Sequence, residues 1–298
     1  MYAGTVNELN FFNQLHPFTV AVYFVGLFSL LLMFNHLLLG IGMFGVILGV
    51  CSWYFDIHKI RQLLIGSLSL MGMIVLFNLL LNQTGTVVLW QVKWGVIDFR
   101  LTQTAVIYGL TMALLLGSMI ITFVLFNGII TTPKLSYLLF PIVPRLAMLM
   151  VISLRFVDLF IQKMQRLAMF QKTRGVVLTE GNFKQRLLKM GQLMRIILVD
   201  TISEAMETAT LMEARGFGVT KRSQYQRFHF RVMDWLFLTI SAAIFGVIVT
   251  FRVKGYGWTN DVTQLTWVAS QDWLLFGLIA GFCLLPLCGE GGYRLWEN

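Results

Sequence analysis

The chain has 298 residues, of which 57% are hydrophobic and 12% charged, and its mean hydropathy is +0.75. Soluble domains carry roughly 25% charged residues, so an ordinary soluble fold is excluded, and 5 prolines against 25 phenylalanines argue against a collagen-like or disordered chain. Uninterrupted apolar runs, without strand-like alternation, exclude an outer-membrane barrel and predict an all-α polytopic membrane protein.

In chain order, Met1 to Gln14 carries one charge, Glu8, and no basic segment or small-residue cleavage pattern, so the first apolar run is expected to be a span rather than a removable leader. From Phe18 to Phe55 the only clearly polar interruption in 38 residues is Asn35 and His36. One straight helix of that length would reach about 57 Å, against a hydrocarbon core of roughly 30 Å, which predicts two spans with a tight turn near Asn35 to Gly40. Further apolar runs at Leu63 to Leu81, Ala105 to Phe126, Trp235 to Phe251 and Trp273 to Leu287 bring the expectation to six spans. Thr84 to Thr104 alternates apolar and polar residues around Trp90 and Trp94, which predicts a short extended hairpin or loop at interfacial depth. A second polar loop, Val253 to Asp272, separates the last two runs. Cys51, Cys283 and Cys288 lie in or beside apolar runs without ligand spacing and read as packing residues.

The middle of the chain is different. Of 23 lysines and arginines, 14 lie between Arg155 and Arg231 against 6 acids, a local balance of +8 in a chain of +9. By the positive-inside rule this segment is cytoplasmic, and counting spans outward puts both termini inside as well. The chain therefore divides into residues 1–132 with four spans, a coupling-helix region at 133–231 and residues 232–298 with two spans. Two long amphipathic helices are expected in the middle part. In the first, from Pro144 to Arg174, Arg155, Asp158, Gln162 and Arg166 form a polar stripe and Phe156, Phe160, Met164 and Leu167 an apolar one. In the second, from Phe183 to Arg215, Asn182 is placed to cap with Gln185 three residues on, Asp200, Glu204 and Glu207 form an acidic stripe, and Ala205 and Ala209 sit four apart where helices could cross closely.

Each helix is expected to stop at a glycine directly after an arginine, in Lys172-Thr173-Arg174-Gly175 and Glu213-Ala214-Arg215-Gly216. Glycine in the left-handed conformation terminates helices, and arginine complements the negative end of the helix dipole. That account suffices for one such end; the pairing of two suggests docking tips. On these residues the chain resembles the transmembrane T component of energy-coupling factor (ECF) transporters, whose signature is a pair of Ala-Arg-Gly motifs ending cytoplasmic coupling helices. The similarity extends from Leu15-His16-Pro17 through Leu154-Arg155-Phe156 to Thr173-Arg174-Gly175, and from Glu204-Ala205 to Met212-Glu213-Ala214-Arg215-Gly216. The second motif matches letter for letter, while the first has Thr173 in place of alanine.

The resemblance implies a non-catalytic subunit in the cell membrane that joins two cytoplasmic ABC ATPases to a small membrane S component binding a vitamin or metal ion. It implies that Arg174 and Arg215, with Thr173, Gly175, Ala214 and Gly216, dock the ATPases, where planar guanidinium groups can make bidentate bonds to carboxylates. ATP would then be bound by the partners and no cofactor by this chain. The S component is expected against Met164, Met194, Ile197, Thr201, Ala205 and Ala209. Eight of 16 methionines fall between Arg145 and Arg215, a composition suited to surfaces that repack and equally to irregular cores.

Other functions fit less well. No glycine-rich loop is followed by Lys-Ser or Lys-Thr, and His16, His36, His58 and His229 are scattered without ligand spacing, so neither ATP hydrolysis nor an intramembrane metal enzyme is expected. The basic region lacks interleaved aromatic stacking residues, which argues against nucleic acid, although anionic lipid would attract it. The alternative of a different class is a membrane protein insertase or assembly scaffold with a basic amphipathic cytoplasmic face. It leaves the paired Arg-Gly helix ends unexplained.

Overall fold

Within a bilayer every backbone N–H and C=O must be satisfied inside the chain, so long apolar runs fold as helices and break only where polar residues can reach water or side chains. The computed structural model describes residues 11–12, 15–82, 87–94, 97–141, 143–173, 182–216, 229–257 and 270–297. They belong to two compact units, Met1–Thr131 with Phe228–Asn298, and Thr132–Arg227.

The first unit holds α1 (Pro17–Met33), α2 (Leu37–Tyr54), α3 (Ile57–Leu81), a hairpin of β1 (Val88–Trp94) and β2 (Ile97–Thr102), α4 (Gln103–Ile129), α8 (Val232–Val253) and α9 (Ser270–Glu297). The second holds α5 (Thr132–Leu139), α6 (Pro144–Thr173) and α7 (Phe183–Ala214). Five of these helices, α2, α3, α4, α8 and α9, are long and apolar enough to cross a membrane, and α1 adds a shorter apolar helix of 17 residues, at the lower limit of span length. The protein is an all-α, multi-pass membrane protein, with the two-stranded hairpin as its sole sheet among the described residues.

The 38-residue apolar stretch does break in two, but over Phe34, Asn35 and His36, so that Leu37 to Gly40 already belong to α2. The third span starts six residues earlier than Leu63, because the Asp56 side chain accepts the Ile57 backbone N–H at 2.8 Å and begins the helix there. Lys59 and Arg61 therefore lie on its first turns. The last span continues past Leu287 to Glu297 with Pro286 inside it. Between α3 and α4 the strands pair antiparallel, with Trp90 opposite Leu101 and Lys93 opposite Asp98, and an irregularity between Val88 and Trp90. The central part of the Val253 to Asp272 loop lies outside the described residues, and its final residues open α9.

Helix α4 packs against α1, α2 and α3, while α9 packs against α2, α8 and α1. Ser67 is the only buried residue of α3, whereas α4 buries Ala105, Ile107, Ala113, Ile121 and Leu125 among others. α3 is therefore the peripheral span. It comes close to α4 because Gly117 and Gly109 leave room: a Cβ at Gly117 would stand 2.6 Å from the Met71 sulfur, and one at Gly109 3.3 Å from Asn78 Cβ. Tyr23 of α1 donates its hydroxyl to the carbonyls of Phe282 and Cys283 of α9 at 3.3 and 3.2 Å. Cys51 and Cys283 are buried as expected of packing residues; Cys288 is not, because it occupies an exposed position on α9.

One end of this bundle is closed by the residues that precede α1. Phe12 is fully buried, with ring centroids 5.5 Å from Tyr54 and 6.5 Å from Tyr23, and Phe11 meets Phe237 at 5.9 Å. Gly289 supplies the space for Phe11, since a Cβ there would collide with its ring. The backbone N–H of His16 donates to buried Asp234 Oδ1 at 2.6 Å, and the His16 ring stacks on Phe230 at 3.9 Å. Asp234 Oδ2 also accepts the Arg231 backbone N–H at 2.9 Å. One carboxylate thus starts α8 and fastens the segment ahead of α1.

Candidate functional site

The amphipathic pattern of the middle segment folds as two helices of 30 and 32 residues. The polar stripe Arg155, Asp158, Gln162 and Arg166 is exposed on α6, and Phe156, Phe160 and Leu167 are half-buried on the other side. Met164, placed by its sequence pattern on the apolar stripe, is 39% exposed. At the start of α7 the Asn182 backbone N–H donates to Gln185 Oε1 at 3.4 Å, the return bond of a capping box.

The two helix ends are where the sequence places the docking residues. Thr173 is the last residue of α6, exposed, its hydroxyl donating to the Phe170 carbonyl at 2.8 Å. Arg174 and Gly175 lie outside the described residues. On α7 the helix ends at Ala214, and Arg215 turns out of it with φ −82° and ψ 10°. Gly216 follows at φ +72°, the left-handed conformation that favours glycine, and its N–H donates to the Glu213 carbonyl at 2.9 Å. The Arg215 N–H donates to the Leu211 carbonyl at 3.1 Å. The Arg215 bond is the last of the helical ladder, and the Gly216 bond is the inner bond of a glycine cap, so the Leu211 and Glu213 carbonyls are satisfied. They leave Ala214, Arg215 and Gly216 exposed at the tip.

The residues expected along one side of α7 divide. Ile197 is buried at 1% exposure, and Thr201 and Ala205 are half-buried, the Thr201 hydroxyl donating back to the Ile197 carbonyl at 2.8 Å. Met194 is 45% exposed and Ala209 is exposed as well. The buried and half-buried line of α7 runs through Leu193, Ile197, Thr201, Glu204, Ala205, Thr208 and Met212 and shares Ile197, Thr201 and Ala205 with that side.

Sequence reasoning missed the residue that joins the two helices. Lys163 Nζ donates to Asp200 Oδ2 and to Glu204 Oε2, both at 2.6 Å. The hydrogen bonds to Asp200 and then Glu204 hold the lysine above its ordinary pKa. A signal was present: the half-buried spacing Phe156, Phe160, Leu167 passes through position 163. Asp234 was missed too, since its partner His16 lies 218 residues away.

The family model described as cobalt transport protein, CbiQ, matches residues 10–226, most of the chain and both helix ends. The chain belongs to the CbiQ family. Stretches of it are also similar to EcfT, the energy-coupling factor transporter transmembrane protein. The EcfT of Staphylococcus aureus is 27% identical over 114 residues, 38% of this chain and 42% of that protein. That of Lacticaseibacillus paracasei is 31% identical over 111 residues, covering 37% and 42%. An uncharacterized protein of Mycoplasma pneumoniae is 31% identical over 134 residues, 45% of this chain and 29% of that protein. The matched stretches span less than half the length of each of these relatives. With its apolar helices, this CbiQ-family chain is an EcfT-like transmembrane component.

Proposed function

We propose that the chain is the energy-coupling subunit of an ECF-type ABC importer, linking ATP hydrolysis by two cytoplasmic ATPases to uptake of a vitamin or metal ion through a membrane-embedded S component. The observation that carries this reading is the free end of α7, where Arg215 stands exposed on a glycine cap at φ +72°. An exposed arginine held on a glycine-capped helix turn can offer its whole guanidinium fork to carboxylates of a partner. Thr173 and Arg174 would present the corresponding tip of α6. In this reading the subunit itself is not an enzyme and binds no cofactor; ATP and its chemistry belong to the ATPases. The micronutrient is cargo held by the S component, which would contact the exposed apolar residues of α6 and α7, with Met164 and Met194 among them. The chain sits in the cell membrane with the basic segment and both termini on the cytoplasmic side.

Purification of the tagged chain from its native membrane tests the reading. Two ATPase chains and a small membrane protein are expected to accompany it, and Arg174→Ala with Arg215→Ala should release the ATPases and abolish uptake while the spans remain folded. Truncating one side of a buried interfacial charge pair costs about 2–5 kcal/mol. Normal ATPase retention and uptake by the double variant would refute the docking role, and ribosomal or nascent-chain partners would favour an insertase. A cysteine introduced at Asn182 should label from the cytoplasmic side alone, and labelling from outside in intact cells would reverse the orientation.

A further inference from the structure

Among the described side chains of α6, Arg155, Asp158, Arg166 and Lys172 all point to solvent, and Lys163 alone of the charged residues lies on the half-buried stripe. It is placed where α6 meets α7, and the two long helices approach each other over one short stretch rather than along their length. Its two acceptors, Asp200 and Glu204, stand on successive turns of α7, a like-charge arrangement that is unfavourable unless a cation sits between them. Caught by both carboxylates at 2.6 Å, the lysine opposes sliding of α6 along α7 as well as rotation about the contact. A single polar contact in a helix interface fixes register in this way even where it adds little stability.

The position of that contact along the two helices carries a consequence for coupling. Lys163 is ten residues from Thr173, the last residue of α6, while Glu204 and Asp200 are ten and fourteen residues from Ala214, the last residue of α7. At 1.5 Å per residue α6 extends about 15 Å beyond the contact and α7 about 15–21 Å. We propose that Lys163 is a positioning residue that pins the α6–α7 contact as a fulcrum between two arms of similar length. The inference rests on reading those ends as ATPase docking tips. Arms of similar length on a pinned contact convert the approach of two ATPases into opposite displacements of the helix portions beyond the pin. Without the pin, the same approach is absorbed by slippage of one helix over the other, and hydrolysis no longer drives uptake.

The test uses the full chain in lipid nanodiscs, with spin labels at Thr173→Cys and Ala214→Cys in a Cys288→Ser background, since Cys51 and Cys283 are buried. Pulsed dipolar spectroscopy should give one narrow tip-to-tip distance. Lys163→Met should broaden that distribution at least twofold, Asp200→Asn with Glu204→Gln should do the same, and Lys163→Arg should retain the narrow form. In the complete transporter, Lys163→Met should keep both ATPases bound and hydrolysing while substrate moved per ATP falls at least fivefold, with recovery by Lys163→Arg. An unchanged distance distribution in both the lysine and the carboxylate variants would overturn the pin. So would parallel loss of ATPase binding and uptake in Lys163→Met without recovery by arginine, the behaviour of an ordinary packing residue. If the distances respond as expected but the unmodified chain captures no ATPase, the docking reading fails and the pin stands.

Discussion

The two units of this protein bury their residues very differently. In the first, Phe12, Phe24, Leu30, Ile47, Ile121 and Phe282 are at most 2% exposed, and aromatic rings from five helices (α1, α2, α4, α8 and α9) and the preceding segment meet in one cluster. In the second, among the described residues, Ala147, Leu193 and Ile197 are the only buried apolar side chains, while Leu149, Phe170, Phe183, Leu187, Val199 and Met206 stand more than half exposed. A helix whose apolar side has no neighbour in its own unit gains its stability from whatever covers it, and until then it belongs to the easily displaced part of a molecule. The bundle is thus held by its own packing, whereas α6 and α7 leave most of their apolar side chains uncovered within their unit.

The sharpest way to break that contrast is to make one substitution in both units. Phe12→Ala removes a fully buried ring and should cost about 3–5 kcal/mol, whereas Phe183→Ala, at a site 82% exposed, should stay within about 0.5 kcal/mol. Thermal unfolding of both variants in the same lipid would check this, and equal losses would mean that α7 is held as firmly as the bundle. A smaller difference is expected within the second unit. Ala205→Trp, on the half-buried line beside Glu204, should spread the helix crossing, while Ala209→Trp, on the exposed side, should leave the crossing intact and weaken only capture of an S component. Tip-to-tip distances and co-purification separate the two outcomes, and a common effect of both would erase the distinction between the faces.

The smallest effect concerns His16. Burial pushes its pKa below the ordinary 6.5, with the Asp234 carboxylate partly offsetting that push. A histidine kept neutral in the fold binds its proton more readily when released, so its contribution to stability is present above the ordinary value and declines as pH falls below 6.5. Hydrogen exchange at the start of α8 should therefore quicken modestly between pH 7 and 5.5 in the unmodified chain and lose that dependence in His16→Asn.

Much of this architecture is legible from local pattern. The break in the first apolar stretch follows from length alone, the hairpin from alternation, and the glycine cap at Gly216 from the residues Ala214-Arg215-Gly216. What local pattern misses is partnership across the fold. The apolar run from Leu63 leaves out the first six residues of α3, which carry Lys59 and Arg61, yet Asp56 caps them into helix and their long stems keep the charges in water. Lys163 reads as one more basic residue of a basic segment until Asp200 and Glu204 are brought to it from a second helix. Along the side of α7 read from Met194 to Ala209, Ile197, Thr201 and Ala205 turn inward with Leu193 and Glu204, while Met194 and Ala209 stand exposed.

The segment ahead of α1 has a consequence for the order in which the protein is made. His16 leaves the ribosome well ahead of Asp234, to which its backbone is bound and which follows 218 residues later. At about 5–20 residues per second that is a delay of roughly 11–44 s. Phe11 must wait longer still, because the space it fills beside Gly289 exists only once α9 is in place. For that interval Phe11 lacks both Phe237 and its place beside Gly289, whereas Phe12 finds Tyr23, Phe24 and Tyr54 as soon as α1 and α2 are made. The packing of Phe11 therefore coincides with insertion of α9.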